Sequence, residues 1–172
     1  MDAPTEKEDN ECGRWKDFIN EHASAPMSEV LLQIEDDLQD VELFRIAVAK
    51  SGLSYKVISV QYARDAIKYL GRFGEYADME KYPKPKLIVL DLSLPGMTGL
   101  EFLAWAKGEP PENIPPIVVL SYSKLELNRH LSERLGAKAF FVKSPNPEES
   151  AEMTKNLLQF SAPPPSARAL HP

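Results

Sequence analysis

Apolar residues along this chain follow two rhythms. Four short runs, Val30 to Ile34, Leu87 to Leu90, Ile117 to Leu120 and Ala139 to Val142, are rich in Val, Ile and Leu and are separated by segments with helix-like apolar spacing. Such runs predict strands buried on both faces of a parallel sheet. Tyr55 to Val60 reads as a further strand.

The helical rhythm predicts a helix from about Gln39, carrying Val41, Phe44, Ile46, Ala47 and Val48 and stopping at Ser51-Gly52. A second follows around Ala63 to Leu70, a third over Gly99 to Lys107, and a fourth from about Lys124 to Leu135, ending at Gly136. Pro147 stands where the first turn of a fifth helix tolerates it. A long connection, Gly71 to Lys86, holds two Gly and two Pro ahead of the third apolar run. Five strands alternating with five helices make a βα repeat, an α/β fold whose right-handed crossovers lay helices on both faces.

The flanks differ from this pattern. Residues 1–27 are polar and acidic and read as a flexible N-terminal extension, with one island in which Trp15, Phe18 and Ile19 fall at helical spacing. Residues 161–172 are Pro-rich and read as a disordered tail, which leaves 28–160 as one domain with no output domain after it. A chain of 172 residues can bury a core without staples. Its net charge of -6 has the wrong sign for a nucleic-acid partner. The single cysteine, Cys12, excludes an intrachain disulfide and a thiolate metal cluster. No apolar stretch is long enough to span a bilayer, and the acidic start is unlike a signal peptide, so no membrane partner and a cytoplasmic location are expected.

The chemistry lies where the runs end. Val30 to Ile34 runs into Glu35-Asp36, Leu87 to Leu90 into Asp91, Ile117 to Leu120 into Ser121, and Ala139 to Val142 into Lys143. Ligands of parallel sheets bind at the carboxyl ends of strands, so these endings are expected to meet. Asp91 is followed by Leu92-Ser93-Leu94-Pro95-Gly96-Met97-Thr98-Gly99, a loop that turns sharply off the sheet. A carboxylate exposed there can act as a nucleophile toward phosphorus once charge repulsion is neutralised. Glu35 and Asp36 are hard oxygen ligands suited to magnesium. Lys143 supplies a mobile point charge and Ser121 a hydroxyl for phosphoryl oxygens. Each residue alone has an ordinary explanation, as a cap, a turn or a solvated charge. Four suitable residues at four strand ends, in order, do not.

With these residues the chain resembles the receiver domains of two-component response regulators. The resemblance rests on Leu31-Leu32-Gln33-Ile34-Glu35-Asp36-Asp37, on Leu87 to Gly99, on Val118-Val119-Leu120-Ser121 and on Gly136 to Lys143, and it covers roughly Ser28 to Phe160. Asp36-Asp37-Leu38-Gln39-Asp40 and the long Gly71 to Lys86 connection look like the single-domain regulators that partner bacteriophytochromes. The resemblance implies a flavodoxin-like (βα)5 fold, a doubly wound parallel five-stranded sheet of order 2-1-3-4-5. It also implies that Asp91 is the phosphoacceptor, and that Mg2+ is held by Asp36 directly, by Glu35 through water, by Asp91 and by the backbone carbonyl of Ser93. Ser121 then matches the switch hydroxyl, Phe140 the aromatic residue that changes rotamer with it, and Lys143 the phosphate-binding lysine. Phosphate on Asp91 is expected to draw Ser121 and Lys143 inward and to re-present the face of the fourth helix, fifth strand and fifth helix.

Two positions depart from the family pattern. Ser144 intervenes between Lys143 and Pro145, where the family has Pro in a cis bond directly after the lysine, and the bulky Tyr122 follows Ser121 where small residues are usual. The leading expectation is a stand-alone response regulator phosphorylated by a histidine kinase, of bacteriophytochrome type or otherwise, or by a phosphotransfer protein, and signalling by docking, phosphate relay or homodimerisation. It is not expected to be an enzyme on a separate substrate, because Ser93 stands where aspartate-based phosphatases carry a second acid. The alternative is a receiver-like interaction module that signals without phosphate.

Overall fold

Apolar runs become strands because helices cover both faces of the sheet. The computed structural model describes residues 29–161, and in it the strands are β1 (Glu29–Ile34), β2 (Tyr55–Val60), β3 (Leu87–Leu90), β4 (Ile117–Ser121) and β5 (Ala139–Val142). The helices are α1 (Leu38–Lys50), α2 (Ala63–Gly71), α3 (Gly99–Gly108), α4 (Glu126–Arg134) and α5 (Pro147–Leu158). All strand pairs are parallel, in the order β2-β1-β3-β4-β5. The fold is the doubly wound, flavodoxin-like one that the pattern and the resemblance predict. The expectations for residues 1–27, including Trp15, Phe18 and Ile19, and for 162–172 lie outside the described residues.

Successive strand residues point to opposite faces, so the apolar runs divide between two cores. Leu32, Ile34, Ile88, Leu90 and Val119 pack with Ala63, Ala66 and Tyr69 of α2 and with Phe102, Leu103 and Ala106 of α3. Leu31, Leu87, Val89, Val118 and Leu120 pack on the other side with Phe44 and Val48 of α1 and with Leu157 and Leu158 of α5. A strand buried on both sides has no polar alternation to show, which is why these runs read as continuous.

Local differences from the predicted boundaries have identifiable causes. β1 starts at Glu29, which pairs with Tyr55 of β2. α1 starts at Leu38 because Asp37 caps it, its side chain accepting from the backbone N–H groups of Gln39 and Asp40. α4 starts at Glu126 rather than near Lys124: the Ser123 hydroxyl accepts from the Leu125 N–H and the Asn128 amide, which holds this stretch as a turn. The long connection carries a 3-10 turn at Gly74–Ala77 and three packed rings, Tyr69, Tyr76 and Tyr82. Ser161, expected in the tail, is instead buried in a 3-10 turn, where its hydroxyl meets that of Tyr55 at 2.6 Å and bonds the Leu158 carbonyl.

Strand register aligns the endings. Ile34 lies opposite Leu90, so Glu35 and Asp91 leave adjacent strands side by side. Ser121 lies opposite Val142, so Lys143 follows one step beyond it.

Candidate functional site

The sheet's hydrogen-bond ladder continues into the site residues themselves. The Glu35 N–H donates to Val60 of β2, the Asp91 N–H to Ile34 of β1, and the Lys143 N–H to Ser121 of β4, each at 3.0 Å. Their backbones are therefore held by the sheet rather than by loops. Beyond Asp91 the chain turns at Pro95-Gly96, where Gly96 has φ +76°, a left-handed conformation that glycine adopts without strain. Thr98 then caps α3 in a capping box with Glu101.

Asp91 is buried, not exposed as its place at the strand end predicts, because the turn after it folds back over the sheet edge, and its Oδ1 accepts the Leu92 N–H at 2.7 Å. Glu35 is buried beside it, and Asp36 is exposed at the rim. Glu35, Asp36 and Asp91 each offer a carboxylate oxygen, all within 4.8 Å of one another. Three hard oxygen donors so arranged fit a hard divalent cation such as Mg2+ or Mn2+. Ser93 is exposed in the loop two residues beyond Asp91.

Lys143 is not the solvated, mobile charge that its position predicts. Its side chain is 7% exposed, with Nζ 2.6 Å from Glu35 Oε2, 2.7 Å from Asp40 Oδ2 and 3.7 Å from Asp91 Oδ2. Burial pushes the Glu35 carboxyl up to about 7, opposed by its hydrogen bond from Lys143 and assisted by the nearby Asp91 charge. Burial alone would lower Lys143, but its bonds to Asp40 and Glu35, together with Asp91, leave it above the ordinary lysine value. The ammonium stays charged.

Ser121 is fully buried, its hydroxyl accepting the Ser123 N–H at 3.4 Å. Phe140 is buried on β5, with the Arg129 guanidinium of α4 stacked 5.0 Å from its ring centre. Among the described residues no peptide bond is cis. The departure at Ser144 has a structural use: its hydroxyl donates to Glu149 and accepts the Asn146 N–H, just ahead of the Asn146 cap and Pro147 of α5.

The site contains two groups whose roles the sequence did not disclose. Asp40 reaches in from α1 to Lys143, and the Tyr122 hydroxyl donates to Asp40 Oδ1 at 3.0 Å while its ring lies 5.0 Å from Lys143 Nζ. The one signal for Asp40 was its position a turn beyond Asp36 and Asp37, on the helix that opens from the acidic loop. Together the arrangement places a buried carboxylate, three acids whose spacing fits a cation, an ammonium and a hydroxyl at one end of the sheet.

The family model of the response regulator receiver domain matches residues 31–155. The chain is 32% identical over 132 residues to the response regulator Rcp1 of Synechocystis sp., a match that takes in 77% of this chain and 88% of that one. Among solved structures it is similar to the phosphorylated cyanobacterial phytochrome response regulator RcpA, with a TM-score of 0.71, 33% identity, and coverage of 81% of this chain and 99% of the other. The Mn2+-bound form of Rcp1 matches with a TM-score of 0.67 and 32% identity over 77% of this chain and 93% of the other.

Proposed function

Since this chain belongs to the family of response regulator receiver domains, we propose that it accepts a phosphoryl group from a histidine kinase onto Asp91 and signals through a changed protein-binding surface. The observation that carries this reading is the meeting of Asp91 with Glu35, Asp36 and Lys143 at one end of the sheet. Asp91 Oδ1 is engaged by the Leu92 N–H, which leaves Oδ2, facing Lys143, as the attacking oxygen. Oδ2 forms a bond to phosphorus as the P–N bond of the kinase phosphohistidine breaks. The electron pair of that bond returns to the imidazole nitrogen, and the product on Asp91 is an acyl phosphate.

Asp36, Asp91 and the backbone carbonyl of Ser93 are the proposed ligands of Mg2+, with Glu35 acting through water. A bound Mg2+ supplies positive charge against the crowded carboxylates and phosphoryl oxygens. The chain's own residues do the rest: Lys143 and the Ser121 hydroxyl donate to the phosphoryl oxygens, and the backbone ladder keeps Asp91 in place. Movement of Ser121 toward the phosphate makes room for Phe140, whose stacked partner Arg129 carries the change to α4 and the surface it shares with β5 and α5. The similarity to RcpA, which is a phytochrome response regulator, supports a phytochrome-class histidine kinase as the phosphodonor.

Incubation with acetyl phosphate and Mg2+ should add one phosphoryl group to the intact protein, read by mass, and none to Asp91→Asn. No addition to wild type, or equal addition to the variant, refutes the reading. Partner binding that is identical in wild type and Asp91→Asn would favour a phosphate-independent interaction module instead.

A further inference from the structure

Taking that reading as its basis, we infer that Asp40 is a positioning residue that latches Lys143 in the resting state and must release it when Asp91 is phosphorylated. An ammonium has three donors. In Lys143 two are engaged, by Glu35 at 2.6 Å and Asp40 at 2.7 Å, whereas Asp91 Oδ2 at 3.7 Å lies outside hydrogen-bond range. The lysine is therefore held just short of the group it is to serve.

Asp40 is well placed to do the holding. It lies in the first turn of α1, a helix anchored by the Asp37 cap and packed through Phe44 and Val48 on the sheet, and its side chain is only 12% exposed. Its two oxygens bridge two other elements, with Oδ2 taking Lys143 from the end of β5 and Oδ1 taking the Tyr122 hydroxyl from the end of β4. The Tyr122 ring lies 5.0 Å from the same ammonium, so ring and carboxylate hold it together. Asp40 does not belong to the three-acid group that fits a cation, so its tie to Lys143 needs its own account.

The consequence is competition. A phosphoryl group on Asp91 Oδ2 brings new oxygens toward Lys143, whose third donor is free, but drawing the ammonium in from 3.7 Å to meet them pulls it off Asp40. The hold of Asp40 stabilises the unphosphorylated state and is absent once the phosphoryl group is in place. It should therefore slow gain of phosphate and leave its loss unaffected. Tyr122 then loses the ammonium beside its ring and keeps its bond to Asp40 Oδ1.

The test measures gain and loss of phosphate in the full chain. With acetyl phosphate as donor, an Asp91 oxygen forms the bond to phosphorus as the P–O bond to acetate breaks, and acetate leaves with the electron pair. Asp40→Asn is expected to gain phosphate about tenfold faster than wild type, the scale of one charge-assisted hydrogen bond, with the rate of loss after donor removal unchanged within about twofold. In a Lys143→Met background the same substitution should have no effect on gain, because the latch has nothing to hold. A persisting acceleration there would mean that Asp40 acts only as a nearby negative charge, and would overturn the proposal. So would unchanged or slower gain in Asp40→Asn, or faster loss to match the faster gain. If Asp40→Asn does not fold, Tyr122→Phe at its exposed ring carries the same comparison, with a smaller acceleration that again depends on Lys143. Wild type that gains no phosphate fails the receiver reading itself, whereas wild type that gains it, with Asp91→Asn inert and Asp40→Asn no faster, fails only the latch.

Discussion

Gly99 has no side chain and no chemistry, yet the position of Asp91 depends on it. A Cβ built at Gly99 would lie 2.3 Å from the Asp91 carbonyl oxygen and 2.7 Å from Leu92 Cα, both backbone atoms that cannot swing aside. Its N–H also donates to the Leu92 carbonyl at 3.0 Å, so the start of α3 is pressed directly against the strand end that carries the carboxylate. Gly99→Ala should therefore cost about 1–3 kcal/mol in denaturant unfolding and reduce phosphorylation by acetyl phosphate, although every reactive side chain remains. Wild-type stability and phosphorylation in that variant would show that the loop can give way. At this scale the meeting of Glu35, Asp36, Asp91 and Lys143, and the place of Ser121 at the same end of the sheet, is legible in the sequence, because each follows an apolar run and a parallel sheet gathers such ends. The pairing of Asp40 with Tyr122 is not. Their contact joins positions 82 residues apart, and it depends on the pitch of α1 against the sheet, which no local spacing encodes.

Among the elements, α2 and the connection after it form a unit built around Tyr69. That ring is fully buried, packs against Tyr76 and Tyr82, and donates its hydroxyl to the Pro83 carbonyl at 2.7 Å. Burial pushes the Tyr69 phenol up to about 12, with the charge of Arg72 opposing and Tyr82 and Tyr76 adding to the rise. A phenol whose folded value exceeds its unfolded value near 10 gives stability that is fully present below pH 10 and is lost as pH rises toward about 12. Tyr69→Phe should lose about 1–2 kcal/mol at neutral pH, from the unpaired Pro83 carbonyl, and should show a shallower fall in stability between about pH 10 and 12. Urea midpoints across that range measure both effects, and an unchanged alkaline slope would remove Tyr69 as its source. The strands of this fold were readable because burial on both sides makes them uniformly apolar. The tyrosine unit was not, since its rings come from a helix, a 3-10 turn and a loop that share no period. The start of α4 was displaced by two residues for a similar reason: the hydroxyl of Ser123 wins the local backbone and amide donors.

For the molecule as a whole, the cost of the site is electrostatic crowding in a chain that already carries a net charge of -6. Glu35, Asp36, Asp40 and Asp91 converge with a single ammonium, Lys143, among them. Sheet and helices must hold these like charges together, so any cation that binds only the folded arrangement stabilises the entire domain by mass action. Mg2+ at about 100 times its dissociation constant should add about 2.7 kcal/mol, which for a domain of this size raises the thermal midpoint by roughly 5–10 °C. Screening alone would also relieve repulsion, so the comparison is made with sodium at matched ionic strength. Asp36→Asn separates the two effects: it removes one carboxylate from the rim, where Asp36 is exposed and its replacement disturbs no packing. The variant should start at or above the wild-type midpoint without Mg2+, because one repulsive charge is gone, and should gain much less from Mg2+. Equal gains from sodium and magnesium, or an undiminished magnesium gain in Asp36→Asn, would mean that these acids relieve their repulsion through the ionic atmosphere rather than by sharing one ion.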